Sequence, residues 1–507
     1  MSQALTIRLH GRDNVVVARL NILAGTELAG EGIRAQDPIQ RGHKIATARI
    51  APGERVIKYN QVIGVASQPI EPGEQVHVHN CEMAALDLDY AIASDVKPTA
   101  FVAEDERAHF QGFRRPNGKV GTRNYIGILS TVNCSASVSK FVAASFPREE
   151  LAAFPNIDGI VSLTHGTGCG MADTGEGFAT LQRTLWGYAR HPNFAGILLM
   201  GLGCEVNQID FLLEAYQIER GPMFQTMTLQ GVGGTRKTMD KAFDIIREML
   251  PAADRAERQP APASALSLAL QCGGSDAYSG ITANPALGAA ADELVRQGGT
   301  AILAETPEIY GAEHLLTRRA VNDHVAQKLL NQITWWEAYT KRNGGEMNNN
   351  PSPGNKAGGL TTILEKSLGA AAKGGTTNLT GVYAYAEPVT TPGFVFMDSP
   401  GYDPCSVTGQ VASGANLVAF TTGRGSCFGY KPAPSIKIAT NTPMYQHMIE
   451  DMDVNCGDIV DDGVSIEDKG QEIFHLLLRV ASGEKTKSEA LGLGDHEFVP
   501  WQIGAVM

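Results

Sequence analysis

Apolar runs that end in a glycine-rich turn carrying a cysteine recur through the middle of the chain. The run at 194–200 leads into Gly-Leu-Gly-Cys-Glu, with the thiol at Cys204. Unbroken apolar runs of this length are typical of strands buried in a parallel sheet, so each predicts a strand with a thiol just past its carboxyl end. The three other runs lie at 125–132 before Cys134, at 159–164 before Cys169 and at 265–270 before Cys272.

These four cysteines have two interpretations. A lone buried cysteine is usually a small core hydrophobe. Four cysteines at strand ends, beside glycine, histidine and acidic residues, indicate a metal or cluster site instead, because ligands of open α/β sheets collect at that edge. His165 and Glu205 stand beside two of them and join the candidate ligands.

The same pattern divides the chain into units. Short alternating runs separated by turn residues predict a small β domain at 1–85. Strands alternating with amphipathic stretches predict an α/β unit with a parallel sheet at 113–250, and another at 265–507. The polar stretch 86–112 and the proline-rich stretch 251–264, which has no large apolar residue to pack, are predicted linkers.

Composition narrows the class of protein. The 507 residues carry a net charge of −12 without a basic tract, which argues against nucleic acid but not against a small acidic substrate. No apolar run is long enough to span a membrane, and the start lacks the features of a signal peptide. We therefore expect a cytoplasmic protein whose eight cysteines are reduced and available as ligands.

Three polar segments could bind an anion or supply a base. The loop 351–359 offers free amides, Asn355 and Lys356, which suit a carboxylate or phosphate, although it could be a plain surface loop. The turn 421–425 presents Arg424, which could hold a carboxylate or form an interdomain salt bridge. The densest polar segment, 271–285, carries Ser275 and Asp276.

Charged residues elsewhere are less specific. Glu305 and Glu308 follow a predicted strand, and either could be a ligand or a base, but acidic residues at a helix start are also routine capping. In the N-terminal domain His43 lies near cationic groups, and histidine suits proton transfer at neutral pH. A single histidine on a small β domain is nevertheless more often incidental.

The order of these motifs resembles the altronate/galactarate dehydratase family over essentially the whole chain. The resemblance rests on motifs that include Gly42-His-Lys44, Ile57-Lys-Tyr59, Gly118-Lys-Val-Gly-Thr-Arg-Asn124, His165 with Gly168-Cys169, Gly201-Leu-Gly-Cys-Glu205, Cys272-Gly-Gly-Ser-Asp276, Gly280-Ile-Thr-Ala-Asn-Pro285, Asn350-Pro-Ser-Pro-Gly-Asn-Lys356 and Thr422-Gly-Arg-Gly425.

The resemblance implies a fold and a reaction. The fold is a small N-terminal β-clip (SAF-like) domain followed by two α/β units with parallel sheets. The reaction is loss of water from a 2,3-dihydroxy sugar acid, D-altronate or galactarate, to give a 2-keto-3-deoxy acid. A divalent metal takes part, usually iron, with Mn²⁺ as a substitute. Motifs of the altronate and galactarate branches are mixed here, and a third branch eliminates sulfite from sulfolactate.

That chemistry assigns roles to the candidate residues. Thiolates favour iron or zinc over magnesium, and Cys134, Cys169, Cys204 and Cys272 form the predicted metal-ligand pool. Three or four converging thiolates would indicate an iron–sulfur cluster, and fewer would indicate mononuclear iron. The predicted catalytic residues are His43, Lys44, His165 and Glu205. The predicted substrate-binding residues are Lys58, Arg123, Ser275, Asp276, Asn355, Lys356 and Arg424.

Alternatives remain open at this point. SAF-type domains also serve as carbohydrate-binding modules, so the chain could sense a sugar acid without turning it over. Epimerisation or retro-aldol chemistry could use the same enediolate. The expected partner is a small sugar acid, with no nucleic acid and no membrane, and assembly into a homo-oligomer is compatible with the sequence.

Overall fold

The N-terminal part of the chain is a small β domain, as predicted. The structure, a computed structural model, describes residues 4–84 and 88–506. In this domain antiparallel sheets of order β1-β2-β5-β8 and β6-β7-β9 enclose apolar side chains such as Val16, Ile45 and Val56. Its strands are β1 (Thr6–Ile7), β2 (Val15–Ala18), β3 (Glu27–Leu28), β4 (Ile33–Arg34), β5 (Lys44–Ala46), β6 (Arg55–Lys58), β7 (Gln61–Ala66), β8 (Gln75–Val76) and β9 (Cys81–Glu82).

The middle of the chain contains a four-stranded parallel sheet of order β13-β12-β14-β15. Helices cover it, and the central β12 is buried along its whole length because its side chains are apolar on both faces. The elements are β10 (His109–Arg114), β11 (Val120–Gly121), β12 (Tyr125–Ser130), α1 (Asn133–Ser145), α2 (Arg148–Leu151), β13 (Gly159–Leu163), α3 (Glu176–Ala189), β14 (Phe194–Gly201), α4 (Ile209–Tyr216), β15 (Phe224–Thr228), α5 (Leu229–Val232), α6 (Thr235–Ala253) and β16 (Arg258–Pro262).

The C-terminal unit is built on a seven-stranded parallel sheet of order β19-β20-β18-β17-β21-β22-β23. Its strands and helices are β17 (Ser267–Cys272), α7 (Ala283–Arg296), β18 (Thr300–Leu303), α8 (His314–Thr317), α9 (Asp323–Arg342), α10 (Pro353–Ala357), α11 (Ile363–Ala371), β19 (Leu379–Tyr383), β20 (Gly393–Met397), α12 (Asp403–Ala412), β21 (Leu417–Thr422), β22 (Ser435–Ala439), α13 (Thr442–His447), β23 (Val454–Asn455), α14 (Asp458–Asp461), α15 (Ile466–Ala481) and α16 (Lys487–Ala490). Short 3-10 helices lie at Glu104–Glu106, Ala263–Ala265, Thr306–Ile309, Met347–Asn349 and Ala372–Gly374.

The predicted fold class, a small β domain followed by two α/β units with parallel sheets, is confirmed by these sheets. One detail of the predicted organisation is wrong. Residues 251–264 are packed rather than a free linker, because α6 continues to Ala253 and β16 pairs antiparallel with β10. Small residues do this packing: Ala261 and Ala263 are fully buried. The domain boundaries themselves stay predictions.

The N-terminal domain packs on the C-terminal unit through α11. Val15, Ala46 and Ile63 share one buried apolar cluster with Leu368 and Ala371 of that helix. In the part of the chain that the structure describes, none of the helices combines the length and the apolar character that crossing a bilayer requires.

Candidate active site at the edge of the seven-stranded sheet

A buried group of acidic and thiol side chains lies at the carboxyl edge of the seven-stranded sheet. Cys272 is the last residue of β17, and Glu305 and Glu308 follow its neighbour β18. Because adjacent parallel strands end side by side, the three side chains converge, with one ligand atom of each within 4.8 Å of the others. Ligands of open α/β sheets bind at this edge.

Glu305 is the unusual member of the group. Its side chain is fully buried, yet neither carboxylate oxygen has a hydrogen-bond partner among the described residues. Burial and the charge of Glu308 raise the pKa of Glu305 well above its usual range. Its backbone also has φ 72°, a left-handed conformation that costs a non-glycine residue about 1–3 kcal/mol. Strained backbone conformations and buried acids with raised pKa values are both found most often at functional sites.

Two buried lysines hold the other members. Lys373 places its Nζ 2.9 Å from Cys272 Sγ, and Lys366 donates to Glu308 Oε1 at 2.7 Å. Burial alone would raise the pKa of Glu308, but the two ammonium groups lower it. Burial raises the pKa of Cys272 to about 11. At neutral pH Glu308 is therefore ionised, whereas Cys272 and Glu305 carry protons.

Asp403, the first residue of α12, completes the group. An added Cβ at Gly273 would lie 2.4 Å from its Oδ2, so the carboxylate lies against the backbone just after Cys272. Burial, followed by the charge of Glu308, raises the pKa of Asp403 to about 7. A carboxyl group that titrates near neutral pH can both accept and release a proton under physiological conditions.

Three loops beside this group bring several predicted residues together. Asn355 Nδ2 donates to the carbonyl of Ser275 at 2.8 Å, and the amide of Arg424 donates to Gly274 O at 2.9 Å. A Cβ at Gly423 would lie 2.1 Å from Asp276 Cγ, so only glycine fits there. The loops 273–280, 353–359 and 423–425 are thus held in contact.

Within these loops, two of the predicted substrate ligands form hydrogen bonds within the protein. Asp276 accepts hydrogen bonds from Ser279, Thr440 and Asn441, and its oxygens are taken by the protein. The Asn355 amide is engaged with Ser275 and in a capping box. Both side chains hold the loops together in this structure, and their contact with substrate stays a prediction.

Three other predicted ligands are unengaged. The Oγ of Ser275 is buried without a partner. Lys356 is half-buried and Arg424 is exposed. Within the described part of the chain, neither of these side chains makes a hydrogen bond or an ion pair, so both cations are free to bind an anion. Their contact with substrate stays a prediction.

The predicted lysines of the N-terminal domain are not free. Lys44 Nζ donates to Glu365 Oε2 at 2.9 Å and Lys58 Nζ to Oε1 at 2.8 Å, and all three side chains are buried. The catalytic role of Lys44 and the substrate-binding role of Lys58 stay predictions, because both ammonium groups are paired with Glu365 in this structure. The three residues, which we call the interdomain triad, join the N-terminal domain to α11.

His43 reaches across the domain boundary. Its Nε2 lies 3.4 Å from the carbonyl of Ala357, and its Nδ1 lies 2.7 Å from Gln75 Nε2. Burial and the charge of Lys44 lower its pKa. The ring therefore lies neutral over the loop that carries Lys356. Its catalytic role stays a prediction.

Arg123 lies elsewhere, with its guanidinium bound within the protein, and its substrate contact stays a prediction. Its Nε and Nη2 donate to the two oxygens of Glu489 at 2.7 and 2.8 Å. The remaining donors go to the carbonyls of Thr122, Val480 and Glu484. The guanidinium fastens the middle unit to the C-terminal unit and has no donor left for a ligand.

The four predicted metal-binding cysteines do not form one site. Cys134, Cys169 and Cys204 follow strands of the four-stranded sheet and are exposed, whereas Cys272 is buried in the other sheet. No group of three ligand atoms within 4.8 Å combines them in the described part of the chain. The structure therefore divides the predicted ligand pool between two sheets, and the metal-binding role of each cysteine stays a prediction.

His165 and Glu205 belong to the four-stranded sheet as well. The Nε2 of His165 lies 2.9 Å from the carbonyl of Ser130, and burial lowers the pKa of the ring to about 4. Glu205 accepts from Thr131 Oγ1 at 2.7 Å and from the amide of Gly203 at 2.5 Å. Both side chains are hydrogen-bonded within the protein, and their catalytic roles stay predictions.

Lys366, Lys373 and Asp403 were missed by the sequence reasoning. A signal for the lysines was present: α11 is buried all round, and its sequence continues as Ala-Ala-Ala-Lys through small residues. A lysine in such a stretch has to find a buried partner. Asp403 had no comparable signal, because an acidic residue at a helix start is usually a cap.

Comparison with known proteins agrees with the order of the three units along the chain. Family models match three consecutive parts of the chain: "Altronate/galactarate dehydratase SAF domain" at 4–84, "D-galactarate dehydratase/Altronate hydrolase, second domain" at 112–254 and "D-galactarate/Altronate dehydratase, C-terminal" at 263–506.

Curated relatives cover nearly the same length. The chain is 37% identical to the altronate dehydratase of Bacillus subtilis (strain 168), over 95% of this chain and 96% of the relative. It is 36% identical to the galactarate dehydratase (L-threo-forming) of Escherichia coli (strain K12), over 97% and 95%. It is 33% identical to the (2R)-sulfolactate sulfo-lyase subunit beta of Chromohalobacter salexigens, over 77% and 96%.

The fold, the buried acidic site and the two dehydratase relatives define the class of protein: the chain is a hydro-lyase. More narrowly, it belongs to the altronate/galactarate dehydratase family.

Proposed function

We propose that the chain removes water from a 2,3-dihydroxy sugar acid, D-altronate first and galactarate second, to give a 2-keto-3-deoxy sugar acid. The relatives support the class of substrate. The observation that carries the proposal is Glu305, a buried protonated acid whose oxygens are free, beside an ionised carboxylate and two ammonium groups.

The reaction needs a base for the C2 proton and an acid for the C3 hydroxyl. Asp403, whose pKa is raised to about 7, is our candidate base. Glu305 is our candidate acid: its proton goes to the C3 oxygen, which leaves as water. The C2 proton goes to Asp403. The resulting enol becomes the 2-keto acid when C3 takes a proton from Asp403 and the enol hydroxyl releases its proton, which restores Glu305.

The lysines suit the charge that develops on the way. Loss of the C2 proton places negative charge on the substrate carboxylate as an enediolate, and fixed cations in a buried site stabilise such charge strongly. Lys373 is fully buried and lies between Cys272 and Glu305, at 2.9 and 3.9 Å. Since it pairs only loosely with Glu305, its ammonium is able to turn toward a substrate anion.

The donor set also suits a divalent metal. Cys272, Glu305 and Glu308 converge, with one ligand atom of each within 4.8 Å of the others. We propose that Cys272 and Glu308 hold Fe²⁺, with Mn²⁺ as a substitute. Cys272 would give up its proton on binding the ion, whereas Glu305 would keep its proton as the acid. A bound ion would supply Lewis acidity that makes the C2 proton easier to remove.

Substrate anchoring is assigned to the free cations of the loops. Lys356 and Arg424 have no partner in the described part of the chain, and Arg424 borders Gly274, two residues after Cys272. A carboxylate held there would lie close to the acidic group at the strand ends. Ser275, whose Oγ has no partner, is the neighbouring candidate for a substrate hydroxyl.

The test is turnover by reduced, iron-loaded protein. D-altronate, galactarate and (2R)-sulfolactate are supplied in parallel, and release of 2-keto acid or of sulfite is followed. We expect keto acid from altronate and, more slowly, from galactarate. Sulfite release without keto acid would replace dehydration by sulfite elimination. Tight binding of a sugar acid without turnover, in protein that retains iron, would favour a sensor and overturn the proposal.

A further inference from the structure

We propose that the carboxyl edge of the four-stranded sheet binds an iron–sulfur cluster through Cys134, Cys169 and Cys204. These residues follow β12, β13 and β14, which are neighbours in the sheet. All three thiols are free and exposed. The proposal concerns a second site and does not depend on the proposed dehydration.

The three loops that carry these cysteines meet at Thr131. Thr131 Oγ1 donates to Glu205 at 2.7 Å, and Asn207 Nδ2 donates to Thr131 O at 3.0 Å. A Cβ at Gly168, where φ is +98°, would lie 2.2 Å from Thr131 O, so the loop of Cys169 touches the same residue. Cys134 is three residues after Thr131, Cys169 follows Gly168 directly, and Cys204 directly precedes Glu205.

Further hydrogen bonds fix the loops to one another. The amide of Asn133 donates to Thr167 O at 2.9 Å, and the amide of Asn207 donates to Gly168 O at 3.0 Å. Glu205 also accepts from the amides of Leu202 and Gly203. Buried polar groups thus hold the three loops, and the exposed thiols on them, at one edge of the sheet. Loops that position no ligand would not need such a network of hydrogen bonds.

The surroundings of two cysteines suit thiolate ligands. Cys134 lies in the first turn of α1, a helix of 13 residues without a side-chain cap at its start, and helix N-termini stabilise thiolates. Gln230 Nε2 lies 3.3 Å from Cys204 Sγ, a donor of the kind that tunes cluster sulfurs. Independently, the Oδ1 of Asn207 at the junction is buried without a partner.

The spacing favours a cluster over a single ion. A tetrahedral zinc ion with Zn–S bonds of about 2.3 Å would hold its sulfurs about 3.8 Å apart. In the described part of the chain, the group whose ligand atoms all lie within 4.8 Å of one another is Cys272, Glu305 and Glu308. The three sulfurs of Cys134, Cys169 and Cys204 therefore do not meet this limit. A cluster spans a larger gap, since each thiolate binds a different iron.

A fourth protein ligand is not supplied by the nearby histidine. His165 uses Nε2 on the carbonyl of Ser130 at 2.9 Å and accepts at Nδ1 from the amide of Thr167 at 3.3 Å.

The experiment begins with anaerobic purification of the full chain. Iron, acid-labile sulfide, the visible absorption and the electron paramagnetic resonance spectrum of the reduced protein are measured. Cys134→Ser, Cys169→Ser and Cys204→Ser are each expected to lose most of the sulfide and the visible band. Cys427→Ser, which removes an exposed cysteine elsewhere, and Cys272→Ser, which changes the proposed catalytic site, are expected to keep both.

The proposal would be overturned if the protein contained no acid-labile sulfide after reconstitution with iron and sulfide. It would also be overturned if the purified protein contained zinc in place of iron. A second measurement covers variants that fail to fold. Wild-type protein is alkylated before and after reconstitution, and labelled peptides are identified by mass spectrometry. We expect protection of the three cysteines after reconstitution and labelling of Cys427 in both states. Equal labelling of all four in both states would contradict the proposal.

Discussion

The two parallel sheets each place a buried glutamate just past the end of a strand, and the surroundings of the two differ. Glu205, four residues after β14, accepts hydrogen bonds from Thr131, Leu202 and Gly203. Glu305, two residues after β18, has no hydrogen-bond partner in the described part of the chain. Since an unpaired buried carboxyl group is costly, we infer that the protein keeps Glu305 for chemistry and Glu205 for loop structure.

The contrast extends to the other groups at the two edges. The four-stranded edge has exposed thiols on loops that buried polar groups hold in place. The seven-stranded edge buries its thiol, carboxyl groups and lysines together, so their protonation states depend on one another. Burial makes electrostatic interactions stronger, and for this reason the second edge is better suited to proton transfer.

The largest effect is expected from Glu305→Gln, which removes the proposed acid while keeping its shape. Loss of a general acid should lower kcat/KM by about 10²–10⁴-fold. Stability should not fall, because no hydrogen bond to Glu305 is lost. Steady-state kinetics and thermal melting of the same preparation check both parts.

Glu205→Gln is the matched control. An amide NH₂ in place of one carboxylate oxygen would face either the amide of Gly203 or the donors of Thr131 and Leu202, at a cost of about 1–3 kcal/mol of unfolding free energy. Its main effect should therefore be on stability. If Glu205→Gln abolished turnover in folded protein while Glu305→Gln left it intact, the comparison would be reversed.

The seven-stranded edge is also the edge that the N-terminal domain covers, so the interdomain triad offers a second test. Lys44→Met leaves Glu365 with one of its two buried cations, and breaking a buried ion pair costs about 3–5 kcal/mol. Denaturant unfolding should show this loss. Arg49→Met is the control: its pair with Glu71 is exposed, and a loss above about 1 kcal/mol there would contradict our ranking.

Removing one free cation at the mouth of the site should have a smaller effect on catalysis. A charge-assisted bond to a carboxylate contributes about 1.5–3 kcal/mol. Lys356→Met or Arg424→Met should then lower kcat/KM by roughly 10–200-fold. Changes below about threefold for both variants would make these loops structural.

The pH dependence of kcat/KM distinguishes the proposed acid from the proposed base. Asp403 must be ionised to accept a proton, so activity should rise as pH increases through about 7. Glu305, whose pKa is raised, must stay protonated, so activity should fall again at higher pH. Asp403→Asn should abolish the acid limb of the profile, which is the rise of kcat/KM with increasing pH. An acid limb that persists at the same pH in this variant would rule out Asp403 as the base.

The smallest effect concerns His165. Burial lowers its pKa from 6.5 to about 4, so above pH 6.5 the ring is neutral in both the folded and the unfolded chain. Below pH 6.5 the unfolded chain binds the proton first, and stability is lost as pH falls toward 4. Nuclear magnetic resonance should find the ring neutral at pH 6. A titration midpoint of the His165 ring near pH 6.5 would contradict its structural role.

The fold was predictable because its signals are local. Apolar runs such as that of β14 leave few alternatives to a buried parallel strand, and short alternating runs indicate an antiparallel β domain. The packing of 251–264 was not predictable in this way. Small residues such as Ala261 pack through close backbone approach, which a pattern of large apolar residues does not show.

The site was predictable only in part, because a sequence shows which residues end a strand but not which sheet the strand joins. Cys272 and Cys204 look alike in sequence and lie in different sheets. Glu305 could equally have been a helix cap. Lys44 and Lys58 look like ligands of an anion, and they are, but the anion is Glu365 of the same chain.

The location of bound substrate tests the central claim most directly. A crystal structure of the Glu305→Gln variant with D-altronate would show it, because the variant should bind the acid without converting it. We predict density for the sugar acid at the edge of the seven-stranded sheet, in contact with Lys356 or Arg424 and beside Cys272 and Asp403. Density at the edge of the four-stranded sheet, beside Cys134, Cys169 and Cys204, with the other edge empty, would contradict the account.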